Sequence, residues 1–180
     1  MQQALIRFQR WEIALCQALQ GWLRSAVAQR PFILASRLGD GPLWYGLLVG
    51  LLLVFGWPVM PVVGQMAVTG AVAVILYTLI KRGTRRLRPY EADPTLVPAT
   101  PALDRYSFPS GHTLHAVCFT TLSLAHFPLL GLALVPVAAT IAASRVVLGL
   151  HYPTDVLAGA LLGLALALIS LQLPFGFHGI

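Results

Sequence analysis

The sequence has little charge and almost no cysteine. Only 10% of its 180 residues are Asp, Glu, Lys or Arg, whereas 57% are hydrophobic and the mean hydropathy is +0.77. Soluble domains carry about 25% charged residues, so this composition excludes an ordinary soluble protein and predicts an integral membrane protein. The two cysteines, Cys16 and Cys118, lie far apart with no CxxC spacing, which argues against a disulfide framework and a zinc site.

Acidic residues are also scarce, because six acids stand against twelve cations and leave a formal net charge of +6. The cations gather in residues 7–37 and 81–105, and none follows Arg145. A nucleic-acid-binding face needs a soluble surface, so no nucleic-acid partner is expected. Anionic lipid or a phosphate-bearing substrate accounts better for this excess of positive charge.

Long uncharged segments predict the membrane spans. Residues 43–80 contain no charge and are long enough for two spans of about 20 residues, with a turn at the prolines of residues 57–61. One kinked helix is the alternative. Further spans are predicted over residues 110–126, 129–148 and 155–173. The expected fold is therefore an all-α integral membrane helical bundle with about five transmembrane helices.

The N-terminal segment differs from these spans. Apolar residues recur every three or four positions over residues 4–27, which predicts an amphipathic helix lying at the membrane interface or packed on the bundle. Charges interrupt this segment, so no signal peptide is expected. We expect a single domain, residues 1–180, with an interfacial part in residues 1–36 and a catalytic membrane core in residues 37–173.

Five spans place three polar segments on one side of the membrane, namely residues 1–42, 81–109 and 145–154. Their ionisable groups can then converge on one site. All twelve cations fall on this side, so the positive-inside rule predicts a cytoplasmic active site, in a bacterial inner membrane.

The first polar segment of interest follows the second span. Lys81 and Arg88 are separated by six residues, and an Arg fork with a mobile Lys charge forms a plausible phosphate clamp. Such a basic run is also typical of a topology anchor.

The second segment, Pro109-Ser110-Gly111-His112, opens the third span. Ser110 can cap the helix, Gly111 permits close approach of the backbone, and the exposed amides favour an anion. His112 can exchange a proton. The alternative is a simple capping turn. His115 either borders the site or packs within the helix.

The third segment contains Ser144, Arg145, His151 and Asp155. Asp155 lies in the first turn of a helix that follows His151, so its carboxylate can accept one ring N–H and orient the other nitrogen. A purely structural His–Asp pair is the alternative.

Together the three segments resemble the signature blocks of the type 2 phosphatidic acid phosphatase (PAP2) family. The matching patterns are K-x6-RP, PSGH and SR-x5-H-x3-D, in that order. The similarity covers residues 36–172 and includes the turn at residues 38–41. No position of the three signatures departs from the pattern.

The resemblance implies a role for each matched residue. His151 would attack phosphorus and form a phosphohistidine, Asp155 would orient it, and His112 would protonate the leaving oxygen. The phosphate oxygens would be held by Lys81, Arg88, Arg145, the Ser110 hydroxyl and the Gly111 amide. No metal ion or other cofactor is expected.

The predicted function is a metal-independent membrane lipid phosphatase that acts on a phosphate monoester or diphosphate. Candidate substrates are phosphatidylglycerophosphate, phosphatidate and undecaprenyl diphosphate. Two alternatives remain open from the sequence. A lipid phosphotransferase would use the same site, whereas a non-catalytic protein that binds anionic lipid would need the cations but not His112, His151 and Asp155.

Overall fold

The computed structural model describes residues 2–22 and 25–174. All regular secondary structure within these ranges is helical. The helices are α1 (Gln2–Trp22), α2 (Ala26–Gly39), α3 (Pro42–Phe55), α4 (Met60–Thr84), α5 (Pro89–Ala92), α6 (Gly111–His126), α7 (Pro128–Val147) and α8 (Pro153–Leu171). The expectation of an all-α membrane bundle is confirmed.

The N-terminal segment contains two helices instead of one. The Ser25 hydroxyl accepts a hydrogen bond from the amide of Ala28 at 3.1 Å and so caps the start of α2. The predicted helix over residues 4–27 therefore crosses a helix boundary, although residues 23 and 24 themselves lie outside the described part. On α1, Phe8 and Trp11 are 46% and 55% exposed, as an interfacial face requires. Glu12 and Cys16, on a neighbouring face of α1, are buried against the rest of the protein.

The predicted spans correspond to α3, α4, α6, α7 and α8. Between α3 and α4, a short 3-10 turn at Trp57–Val59 separates two helices, so residues 43–80 do not form one kinked helix. Among the described residues, three helices are long and apolar enough to cross a membrane. The number rises to four if α2 and α3, which meet at a 60° bend, form one broken span. Helices α3 and α6, with 14 and 16 residues, are each shorter than the roughly 20 residues that a membrane span needs.

Helix α6 lies at the centre and packs against α4, α7 and α8. Glycines bring α8 very close to it: a β-carbon at Gly159 would lie 2.4 Å from the carbonyl oxygen of Ser110, and one at Gly163 would lie 2.3 Å from that of Leu114. Such distances are sterically impossible, so only glycine fits. This close crossing brings the start of α8 beside the start of α6, where the amide of Ser110 donates to the carbonyl of Asp155 at 2.9 Å.

The polar loop between α4 and α6 contains only the short helix α5, as its prolines predict. Helix α1 holds this loop in place. The Gln17 side-chain amide donates to Asp93 and Thr95 at 3.0 Å each, and that of Gln20 donates to the carbonyl of Val97 at 2.6 Å. The loop also contacts the end of α7, where the amide of Ala99 donates to the carbonyl of Leu148 at 3.3 Å. It therefore lies next to the third polar segment.

Candidate active site

One cavity of about 620 Å³ brings the three polar segments together. Its polar end is lined by Lys81 and Arg88, by Gly111 and His112, and by Arg145 and His151. Asp155 lies behind His151 and does not line the cavity. The expected convergence of the three segments is present in the structure.

The cations of the first segment share one carboxylate. Asp104 accepts hydrogen bonds from Lys81 Nζ at 2.8 and 2.9 Å and from Arg88 Nη2 at 2.7 Å. Arg88 is buried and also donates to the Leu150 carbonyl at 2.6 Å, which fixes its guanidinium. A carboxylate between two fixed cations occupies the place that a phosphate would take in a clamp of this kind. Asp104, with 39% of its side chain exposed, is a residue that the sequence did not predict for the site.

Arg145 enters the cavity from the end of α7. Its Nη1 group is hydrogen-bonded to the hydroxyl of Ser36 on α2. Its buried Nε has no hydrogen-bond partner in the described part of the chain. A buried donor without a partner is costly, so this N–H is a free donor for an anion in the cavity.

His151 is buried in the loop between α7 and α8, where its amide donates to the carbonyl of Arg145 at 2.9 Å. Its Nε2 lies 3.3 Å from Arg88 Nη1. Because a guanidinium only donates, Nε2 must accept, and the ring proton belongs on Nδ1. Burial, and then the charges of Arg145 and Arg88, hold the pKa of His151 well below its ordinary value. The imidazole is therefore neutral, with an unshared electron pair on Nε2.

The contact between His151 and Asp155 is looser than the sequence predicted. Nδ1 of His151 lies 3.6 Å from Oδ2 of Asp155, which is too far for a hydrogen bond. The carboxylate is bound elsewhere: Oδ2 accepts from the Ser107 hydroxyl and from the Tyr152 amide at 2.9 Å, while Oδ1 accepts from Arg86 at 2.7 Å. It still faces Nδ1, the nitrogen that carries the proton.

The start of α6 is arranged as its sequence predicts, with one difference. Ser110 caps the helix, since its oxygen lies 3.4 Å from the Thr113 amide and 2.9 Å from the Thr113 hydroxyl. Its hydroxyl is thus engaged within its own helix, and Ser110 does not line the cavity, contrary to its expected direct contact with phosphate. Gly111 does line it, and a β-carbon at this position would lie 3.3 Å from the ring of Tyr77.

His112 has a partner that the sequence analysis did not assign to the site. Its Nε2 is hydrogen-bonded to Oδ1 of Asp40, in the turn between α2 and α3. With Nε2 engaged, Nδ1 is the ring nitrogen left for a substrate atom. The negative charge of Asp40 favours the protonated form of this ring, whereas burial opposes it. The only sequence signal for Asp40 was its place in the turn at residues 38–41.

His115 borders the cavity and also packs between helices, so both expectations for it hold. Its Nδ1 lies 3.0 Å from the Gly111 carbonyl and its Nε2 lies 3.3 Å from the Gly70 carbonyl on α4. The ring also stacks on Phe119. His115 thereby joins α4 to α6 at the wall of the cavity.

The far end of the cavity is apolar. Side chains of α3 and α4 line it, namely Tyr45, Leu48, Ala67, Ala71, Val74 and Ile75. Several of these are exposed on the outer surface of the helices, so the cavity runs from buried cations to a surface that faces lipid in a membrane. In the described part of the chain, no cluster of three or more His, Cys, Asp or Glu residues could hold a metal ion.

Comparisons with known proteins identify the family of this chain. The family model described as the PAP2 superfamily matches residues 58–178. The chain is 33% identical to a decaprenylphosphoryl-5-phosphoribose phosphatase of Mycobacterium tuberculosis, with 87% of each chain covered. It is also 33% identical to an undecaprenyl-diphosphatase of Sulfolobus acidocaldarius, over 60% of this chain and 53% of that protein.

Two solved structures have a similar fold. One is a transmembrane PAP2-type phosphatidylglycerolphosphate phosphatase from Bacillus subtilis, with a TM-score of 0.75, 24% identity, and coverage of 92% of this chain and 85% of that one. The other is LpxE of Aquifex aeolicus, with a TM-score of 0.63, 25% identity, and coverage of 89% and 94%. This chain therefore belongs to the PAP2 superfamily and is a membrane phosphatase.

Proposed function

We propose that this lipid phosphatase removes the terminal phosphate of a polyprenyl-linked lipid through a phosphohistidine at His151, without a metal ion. One observation carries the proposal. A neutral, buried imidazole opens into a cavity that holds three cations and a second histidine at one end and an apolar lining at the other. This arrangement supplies a nucleophile, charge stabilisation, an acid and room for a lipid chain.

In the first step, Nε2 of His151 attacks phosphorus as the bond to the leaving oxygen breaks. Arg88, 3.3 Å from Nε2, holds the phosphate next to the nucleophile, and Lys81 and Arg145 neutralise the charge that builds on its oxygens. Asp104 gives way to the phosphate in this step. His112 donates its proton to the leaving oxygen, so the lipid departs as a neutral alcohol or a less charged phosphate.

In the second step, water attacks the phosphohistidine. His112, now neutral, takes one proton from the water, and the bond between phosphorus and Nε2 breaks to release inorganic phosphate. Asp155 faces the protonated Nδ1 throughout and stabilises the positive charge that the ring carries in the intermediate. The amide of Gly111, at the start of α6, adds a donor for the phosphate, whereas Ser110 acts by capping that helix.

The substrate class is inferred from the relatives and from the cavity. The relatives named above act, by their names, on a decaprenylphosphoryl phosphoribose and on undecaprenyl diphosphate, two lipids that combine a prenyl chain with a terminal phosphate. The apolar groove between α3 and α4 suits one such chain. Phosphatidate and phosphatidylglycerophosphate, which carry two acyl chains, are the alternatives.

A phosphate-release assay on the purified protein tests the substrate. The panel contains undecaprenyl diphosphate, a prenylphosphoryl pentose phosphate, phosphatidate and phosphatidylglycerophosphate, with His151→Asn as the inactive control. We expect the prenyl lipids to have the highest kcat/KM. A preference for either glycerolipid would overturn the assignment of the prenyl class but not the phosphatase activity.

Two further measurements test the chemistry. After a rapid quench with ³²P-labelled substrate, we expect label on the protein that is stable in alkali, labile in acid and missing from His151→Asn. Activity should persist in EDTA and fall with orthovanadate, because the site supplies cations from the chain itself. Loss of turnover in EDTA with recovery on adding Mg²⁺ would refute the metal-independent mechanism. Transfer of the label to an added alcohol in preference to water would identify a phosphotransferase.

A further inference from the structure

Glu12 on the N-terminal helix is fully buried, although no described side chain of α1 lines the cavity. Both carboxylate oxygens are used. Oε2 lies 2.5 Å from Arg86 Nη2, and Oε1 accepts from the Thr154 amide at 3.2 Å and from the Thr154 hydroxyl. A buried carboxylate is costly unless it is paired in this way. Its contact with Thr154, the residue directly before Asp155, therefore needs an explanation.

Arg86 connects Glu12 to the site. One arm of its guanidinium reaches Glu12, and the other, Nη1, donates to Asp155 Oδ1 at 2.7 Å and to the Thr154 hydroxyl at 2.8 Å. The plane of the group lies over the ring of Tyr152, 4.0 Å from its centroid. Contacts at both arms and on the face leave this guanidinium a single orientation. Arg86 lies within the K-x6-RP segment, between Lys81 and Arg88, but does not line the cavity.

The backbone of Arg86 also supports Asp155. Its carbonyl accepts from the amide of Ser107 at 2.9 Å, and the Ser107 hydroxyl is hydrogen-bonded to Asp155 Oδ2. Two of the side-chain contacts of Asp155 thus depend on Arg86, one directly and one through Ser107. Together with the Tyr152 amide, these donors hold the carboxylate where it faces Nδ1 of His151.

We propose that Glu12 and Arg86 are positioning residues, which hold Asp155 against His151 and make the N-terminal helix part of the catalytic apparatus. The inference rests on the proposed role of His151 as nucleophile. Glu12 also shares the charge of Arg86, so that Asp155 keeps enough negative charge to stabilise the ring of His151. Without Glu12, the guanidinium is free to move fully onto Asp155 and compete with the histidine.

A second explanation is that Glu12 only anchors α1 to the body of the protein. The chain offers a matched control for this, because Gln20 anchors the same helix to the carbonyl of Val97 without any contact to Arg86 or Asp155. Gln20→Ala weakens the docking of α1 and leaves the Glu12–Arg86–Asp155 chain intact.

The experiment uses the lipid of the substrate panel above on which the wild type has the highest kcat/KM. It measures kcat and KM of the full-length protein in lipid nanodiscs and checks folding by thermal unfolding. The single variants are Glu12→Gln, Arg86→Lys, Arg86→Ala, Gln20→Ala and Asp155→Asn. One double variant combines Asp155→Asn with Arg86→Ala. Residues that orient a catalytic group typically contribute about 10- to 100-fold. We therefore expect kcat to fall about 10- to 100-fold in Arg86→Ala, by less in Glu12→Gln and Arg86→Lys, with KM nearly unchanged. Gln20→Ala should keep the wild-type kcat.

The double variant decides between positioning and general structure. If Arg86 acts through Asp155, then adding Arg86→Ala to Asp155→Asn lowers kcat by no more than about twofold, because residues acting as a unit are non-additive. A full further loss would overturn the proposal. So would a Glu12→Gln variant with wild-type kcat, or a Gln20→Ala variant with the same loss. If Arg86→Ala does not fold, Glu12→Gln in the Asp155→Asn background gives the same comparison.

Failure of the proposed function would look different. In that case wild-type protein would release no phosphate, or His151→Asn would remain active, before any positioning variant is compared. An active wild type with an inactive His151→Asn establishes the site, and the non-additivity then tests the positioning alone.

Discussion

The hydrogen bond between His112 and Asp40 leads to the most specific prediction for the chemistry. Asp40→Asn keeps the size and a hydrogen-bond acceptor but removes the charge that stabilises the protonated ring. In the proposed mechanism that ring donates a proton to the leaving oxygen. The effect of the substitution should therefore depend on how basic the leaving oxygen is.

The size of the effect follows from the geometry. Hydrogen bonds to charged groups contribute about 1.5–3 kcal/mol, and about 1.4 kcal/mol corresponds to a factor of ten in rate. Asp40 has 32% of its side chain exposed, so solvent screens part of the interaction and the lower limit applies. We expect kcat to fall about tenfold on an alkyl phosphate, and by less than about threefold on p-nitrophenyl phosphate, whose leaving group needs no proton.

The assay compares phosphate release from both substrates for wild type, Asp40→Asn and His112→Ala. The matched control is Asp93→Asn, because Asp93 lies in the polar loop and pairs with Thr95 instead of a histidine. His112→Ala should show the same dependence on the leaving group, with a larger loss. Equal losses on the two substrates in Asp40→Asn would refute the reasoning, as would a loss as large in Asp93→Asn.

Three other predictions concern the cations, the pH dependence and the orientation in the membrane. Asp104→Asn removes the carboxylate that pairs with Lys81 and Arg88, so both cations become available to an anion and orthovanadate should inhibit about 5- to 30-fold more strongly. This range corresponds to two partly exposed ion pairs of about 0.5–1 kcal/mol each. Unchanged or weaker inhibition would contradict the prediction. His151 has a folded-state pKa well below its unfolded value of about 6.5, so the stability that its neutral form contributes is present above that value and is lost as pH falls below it. Wild type should therefore lose melting temperature relative to His151→Gln between about pH 7 and 5, and a constant difference would refute the assigned protonation. Finally, Ala92→Cys introduces an exposed thiol in the polar loop, whereas the natural Cys16 and Cys118 are buried. If the active site is cytoplasmic, a membrane-impermeant thiol reagent should label this cysteine only after spheroplasts are permeabilised. Labelling of intact spheroplasts would place the loop outside.

The residues of the three signature segments could be identified from the sequence because each segment is short and continuous. The spacing of His151 and Asp155 places both at the start of one helix, and Ser110 precedes a helical run as a cap does. What each side chain contacts was harder to predict. The hydroxyl of Ser110 had two possible partners, the helix and a phosphate, and only the position of Thr113 shows that the helix has it.

The acidic residues around the site could not be assigned in this way. His112 and Asp40 are 72 residues apart, and Arg86 and Glu12 are 74 apart, so no spacing rule connects them. Each of these contacts exists only because α2 packs against α7 and α1 packs beneath the polar loop. The same reasoning applies to Asp104, which lies in a loop whose path depends on those helices.

The sequence by itself determined the membrane environment, the helical class and the residues capable of phosphate chemistry, because composition, apolar periodicity and continuous motifs are local properties of a chain. The tertiary structure alone decided which carboxylate faces which cation or imidazole. Those pairings depend on how closely α8 crosses α6 at Gly159 and on where α1 and α2 dock, and both are set by the packing of many distant side chains at once.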